Sequence, residues 1–331
     1  MNEQGQTPPS VQFKDRTVGL VVFGVLQILI GAFCALAIPL MLLSLWLGQA
    51  GGAAAVNART MIPVIAQYAL AAVIAVWLGI GSILARRWAR ALTLVLAWIG
   101  LICGVLGLLF FFVFMGDMYQ QLAQEQKMPP QAVVVMQVVT GAVLGCIYVF
   151  LPGIFILFYR SKHVWATCRF KDPQVRWTDK CPLPVLAVSL LLGFGACSVI
   201  LCAPAYGAVF PWFGVLLEGP AALSLLLVDA LLLACLAWGT YKLKKWAWLG
   251  TIALMALWGV SAIVTFSRVS IRVLYEKMSF PEEQFEIIEK SGLLEKMNMP
   301  WMMGIFCAAY LAYLLYVGRY FFSSTAQQHV S

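Results

Sequence analysis

The chain has 331 residues, 62% of them apolar and 11% charged, with a formal net charge of +8. Ordinary soluble domains carry about 45–50% apolar and roughly 25% charged residues. A water-soluble interior cannot hide this many apolar side chains, so lipid has to face them. The positive charge does not signal nucleic acid, because no stretch is long and polar enough to form a folded basic face.

Residues 1–16 are polar, contain Pro8-Pro9, and precede an apolar run of about 30 residues. A signal-peptide core is only about 7–15 residues long, so 1–16 read as a disordered cytoplasmic tail leading into a retained first helix. Spanning helices need about 20 apolar residues. By that standard eight are predicted, at about 17–47, 62–84, 88–114, 132–159, 183–213, 220–241, 246–267 and 300–322. The first and fifth are long enough to tilt or kink, with Pro39 and Pro204 where a kink would fall.

Arg86-Arg87-Trp88-Ala89 matches Lys244-Lys245-Trp246-Ala247 at an offset of 158, with Gly81 opposite Gly239 and Thr93 opposite Thr251. Gly31-Ala32 through Pro39 echoes Gly195-Ala196 through Pro204, and a Tyr followed by a Pro-Gln step comes after the third helix of each half. Each match is weak; their shared order predicts a tandem duplication of a four-helix unit. Because four is even, the two units would run parallel across the bilayer.

With the N-terminus inside, fifteen of the 22 Lys and Arg residues fall on inner segments, and five of the other seven lie in one acid-rich outer loop. That bias puts both termini in the cytoplasm. The two basic turns supply candidate contacts to anionic lipid: Arg86, Arg87, Lys244 and Lys245.

Residues 161–182 join the halves, with Trp165, Phe170 and Trp177 among basic residues. Such a stretch can lie on an anionic leaflet, or serve only as a charged linker that fixes topology. In the outer segment, Ser279 followed by Glu282 forms a capping box, and Glu282 and Glu283 suit a first helical turn. Phe285 and Ile288 share a face, Glu286 and Lys290 can pair, and Gly292 stops the helix. An amphipathic outer helix near 280–291 follows, resting on the bundle or the lipid surface.

Asp229 is the strongest chemical signal. An ionised Asp at the centre of a spanning helix costs roughly 2.5–3.5 kcal/mol, offset here by its Leu-rich neighbours. It is a candidate proton or substrate site facing the bundle interior; equally, a protonated Asp229 can simply hydrogen-bond a neighbouring helix. Gln27, Gln67, Gln137 and Thr140 suit interhelical bonds, and Gly100-x-x-x-Gly104 and Gly141-x-x-x-Gly145 suit close packing.

His163, Cys168, Asp172, Asp179 and Cys181 include zinc-type ligands, but the two Cys are thirteen positions apart and form no tight pair. The Cys residues read as reduced, incidental thiols. A Walker-type phosphate loop, a membrane-embedded His to activate a nucleophile, and a second acid at the depth of Asp229 are all missing from the sequence. No cofactor or metal is expected, and the chain reads as a non-enzyme.

The expected architecture is an all-α polytopic membrane protein of eight transmembrane helices, arranged as two tandem parallel four-helix repeats. Its parts are a tail (1–16), a first repeat (17–160), a basic cytoplasmic connector (161–182), a second repeat (183–322) and a cytoplasmic tail (323–331). Its partners are the bilayer, other membrane proteins or further copies of itself. The chain contains no N-x-S/T sequon, which fits a bacterial inner membrane. Two functions remain open: an accessory or scaffold subunit, and a permease for a small solute, lipid-like molecule or proton with Asp229 in its path.

Overall fold

A computed structural model of the chain describes residues 14–50, 58–125, 129–206, 208–278 and 297–322, together with 280, 282, 285, 286, 289 and 294. The long helices are α1 (Thr17–Ala50), α2 (Ala58–Ile83), α3 (Arg87–Glu125), α7 (Leu183–Tyr206), α8 (Gly219–Tyr241), α9 (Lys245–Arg268) and α11 (Met299–Phe322). The fourth span is composite. It consists of α4 (Pro130–Gly145), a π turn (Cys146–Phe150) and α5 (Leu151–Tyr159). Among the described residues, eight helical segments are therefore long and apolar enough to cross a membrane. A helix satisfies most of its backbone hydrogen bonds within its own segment, as a hydrocarbon solvent demands. Much of their outer surface is Leu, Val, Ile, Phe and Trp. The chain is a multi-pass membrane protein.

The π turn has a local cause. Pro152 has no N–H to give the carbonyl of Tyr148, four residues earlier, so the α-helical ladder must break there. That carbonyl turns toward α3, where Gly104 leaves room: a Cβ on Gly104 would lie 2.0 Å from Tyr148 O. The second Gly-x-x-x-Gly motif works on the same interface, with Gly141 against the Phe112 ring.

Helices pair as neighbours in sequence: α1 along α2, α3 against α4 and α5, α7 along α8, and α9 against α11. The halves share a buried core toward the end of the bundle that carries both basic turns. There Leu78 of α2 and Leu92 of α3 share a core with Val185, Leu186 and Leu192 of α7 and with Leu314, Val317 and Phe321 of α11.

The fifth span departs from the expected 183–213. Helix α7 stops at Tyr206, and an antiparallel hairpin follows, β1 (Val209–Trp212) with β2 (Val215–Glu218). At its tip Phe213 and Gly214 both take positive φ. The tip folds onto α9, where Phe213 N donates to Ser261 Oγ (3.1 Å) and Gly214 N to Thr265 Oγ1 (3.0 Å). Both hydroxyl residues are buried, so without the hairpin they would face apolar surroundings.

Beyond α9, the short helix α10 (Ile271–Lys277) carries the outer segment. Glu282, Phe285, Glu286 and Glu289 are helical, and Phe285 is buried against the Tyr275 ring. Arg272 pairs with both Glu276 and Glu289, and Lys277 pairs with Glu218 of the hairpin. Ser279, Glu283, Ile288, Lys290 and Gly292 lie outside the described residues. Exposed pairs of this kind contribute little stability each; their effect is to set orientation.

Candidate functional site

Asp229 sits eleven residues into α8 and is 6% exposed. Counting 12 residues to Tyr241 at about 1.5 Å each puts it about 18 Å from the basic end, near mid-membrane. Ser189 Oγ donates to Ala237 O across α7 and α8, and Gly195 faces Leu233. Continuing that antiparallel register sets Asp229 opposite residues about 197–199. Among the described residues, no ion pair or hydrogen bond reaches its carboxylate.

At the offset of 158, the counterpart of Asp229 is Ala71, which lines a cavity in the first half. This is a groove of about 640 Å³ among α1, α2, α3 and α5, closed on one side by Phe194 of α7. That volume falls within the about 300–1,000 Å³ typical of small-molecule sites. Its wall is mainly apolar, with Leu70, Ile74, Leu96 and Phe155 prominent. The polar exceptions are Gln67, which is exposed, and the buried pair Gln27 and Thr93. Gln27 Nε2 donates to Thr93 Oγ1 at 2.9 Å, tying α1 to α3, while Gln27 Oε1 is buried without a partner. Gln67, Leu70 and Phe194 also line a smaller cavity of about 290 Å³ that continues between α2 and α7.

The basic turns lie at the other end of the same helices. In the first, Ala85 takes φ +52°, with Ala85 N donating to Ser82 O (2.8 Å) and Arg86 N to Gly81 O (2.8 Å). In the second, Leu243 takes φ +54°, with Leu243 N donating to Thr240 O (2.9 Å) and Lys244 N to Gly239 O (2.9 Å). Each Gly is needed, because a Cβ there would lie within 2.7 Å of the following Trp and Ala side chains. One turn later, Arg90 Nε donates to Tyr159 O (3.0 Å) and its counterpart Trp248 Nε1 to Leu314 O (2.8 Å). Each side chain thus bridges the helix that follows its basic turn to the next span.

The turns differ in what surrounds their cations. The connector forms α6 (Lys162–Lys171) and a 3₁₀ turn (Trp177–Lys180) and folds back over the first turn. Asp172, 1% exposed, ends α6 and accepts bonds from Arg176 Nη2 (2.8 Å) and from the backbone N–H of Arg87 (3.3 Å), with Arg86 Nη1 at 3.6 Å. Asp179 lies 3.6 Å from Arg87 Nη1, and Arg87 Nη2 donates to Arg169 O and Pro173 O. The Arg176 bonds, followed by those of the Arg87 backbone and the neighbouring charges, hold the Asp172 carboxyl below its usual range. Arg86 and Arg87, read from sequence as lipid contacts, are thus engaged by the connector. Lys244 and Lys245 are exposed. The buried cluster around Asp172 and the Gln27–Thr93 pair escaped the sequence reading, since nothing local marks which acid or amide will be covered.

Near that cluster, burial pushes the Cys168 thiol up to about 11 and that of Cys181 to about 12. Both thiols are thereby poor nucleophiles and poor metal ligands. Among the described residues, no three His, Cys, Asp or Glu side chains gather as a metal site. Asp229 lies apart from the basic turns along α8. Comparisons with family models, curated proteins and solved structures give no match.

Proposed function

We propose that this protein is a non-enzymatic accessory subunit that binds other membrane proteins. One observation carries the reading: a folded layer braced onto the second half of the bundle outside the spans. The hairpin is fixed to α9 through Ser261 and Thr265, linked to α10 through Lys277 and Glu218, and keeps Trp212, Phe213 and Val215 partly exposed. A rigid surface with aromatic anchors is what a partner interface requires. Meanwhile several hydroxyls and amides in the spans are engaged in assembly. Ser82 donates to Leu20 O, Ser189 to Ala237 O and Gln27 to Thr93.

The matched turns, their interhelical bridges and the burial of Ala72 with Ala230, Leu78 with Leu236, and Thr93 with Thr251 support a tandem duplication. Its two units run parallel. The cation distribution favours cytoplasmic termini, and the lack of a sequon fits a bacterial inner membrane. Asp229, buried at mid-membrane in an otherwise apolar helix, favours the second reading, a permease for a proton or small solute.

One experiment separates them. With a photo-crosslinking residue at Trp212 in intact membranes, the subunit reading predicts a single discrete adduct, and Asp229→Asn should leave both adduct and phenotype unchanged. No adduct above that from a lipid-facing control at Leu29, together with a silenced phenotype in normally abundant Asp229→Asn, would establish the permease instead.

A further inference from the structure

The two basic turns share one backbone but not one electrostatic state. In the first, Asp172 inserts a carboxylate where α3 begins, accepting the Arg87 N–H and lying between Arg86 and Arg176. That carboxylate is 1% exposed, so the first turn arrives with its anion built in. The second turn has the same φ, the same two capping bonds and the same Trp-Ala step. Its N–H counterpart, at Lys245, opens α9 without a side-chain cap. Lys242, Lys244 and Lys245 are all exposed there, and among the described residues none has a carboxylate partner. Lys242 and Lys245 lie over the rings of Tyr241 and Phe322, which orient the ammonium groups without neutralising them.

We propose that the Lys242–Lys245 turn is a binding site for the anionic headgroup of a phospholipid, which supplies from the bilayer the negative charge that Asp172 supplies to the first turn. This goes beyond the subunit reading and does not depend on it. The place fits that source. The turn joins two spanning helices, so its lysines lie at the membrane surface, and the exposed Trp246 ring beside them suits the headgroup layer. A phosphate there meets three ammonium groups and the free N–H groups of the first turn of α9, a combination that favours anions. The first turn is not a second such site, because its inner cation Arg87 is 10% exposed and already held by the connector.

The test uses purified full-length protein in nanodiscs of mixed phosphatidylglycerol and phosphatidylcholine, with native mass spectrometry reading the phosphatidylglycerol retained after detergent extraction. Each cation near an anionic surface changes binding by about fivefold. The K242Q/K244Q/K245Q variant should therefore retain phosphatidylglycerol about tenfold less well or worse. K244Q and K245Q alone should each give a partial loss, which keeps the test decisive if the triple variant assembles poorly. R86Q should change retention less than twofold, and glycerol phosphate without acyl chains should not displace the bound lipid. Unchanged retention in the lysine variants would overturn the proposal, as would an equal loss in R86Q. Displacement by glycerol phosphate would overturn the assignment to lipid.

Discussion

Gly104→Ala should destabilise the protein, although alanine is the better helix former by about 1 kcal/mol. The added Cβ would meet Tyr148 O at 2.0 Å and its carbonyl carbon at 2.6 Å. Both are backbone atoms held by the π turn before Pro152, so no flexible side chain can yield. Overpacking of this kind costs about 1–3 kcal/mol, which corresponds to a fall in Tm of about 5 °C on thermal unfolding in detergent. Gly107, one turn further along the same helix, has nothing within 4 Å of its Cβ position. Gly107→Ala should hold or raise Tm. Opposite signs from one substitution three residues apart would place α4 and α5 against α3 as described; equal shifts would refute that interface.

The second large effect is expected at Asp172. Replacing it with Asn or Ala removes the acceptor for Arg176 and the partner of Arg86, and leaves the partly exposed Asp179 as the acid beside the largely covered Arg87. Breaking a fully buried pair costs about 3–5 kcal/mol. Arg86 and Arg176 keep access to water, so about 2–3 kcal/mol is the appropriate scale. The readout is limited proteolysis: cleavage within 161–182, slow in the wild type, should become fast in Asp172→Ala. The pH dependence has a definite sign. A carboxyl held below its usual pKa stabilises the fold wherever it is ionised, and that contribution is lost as pH falls through the depressed value. Protection of the connector should therefore be equal at pH 7 and 5 and decline only below about pH 4. A decline between pH 7 and 5 would assign the protection to another group.

The spans were legible because length and apolarity are enough to recognise a helix in lipid. Seven of the eight predicted helices run close to where the structure places them. The fifth span ends before its apolar run does, for a reason that lies in its residues. Val209-Phe210-Pro211-Trp212 and Val215-Leu216-Leu217 are as apolar as the helix before them, and an apolar run does not distinguish helix from strand. The usable signals were Pro211, which a helix interior resists, and Gly214 at the tip, which takes φ +95°. Asp229 was legible as an oddity of composition, but its isolation was not, since that depends on what α7 and α9 bring near it. Asp172 was invisible for the opposite reason. In sequence it is one of two connector acids, and only the return of α6 onto the start of α3 makes it a buried counter-ion.

That return of the connector constrains how the halves can move. Its acids hold α3, while the Trp177 carbonyl accepts the Tyr241 hydroxyl of α8 at 2.9 Å. A short strap thus ties both halves together beside their shared core, making this end the fulcrum of any rocking between them. Displacement then grows along the helices: a tilt of 10° about that fulcrum moves the far end of a 23-residue helix such as α8, about 34 Å away, by about 6 Å. The hairpin rides at the end of that lever arm, so a small angular change at the strap is read out there at its greatest amplitude.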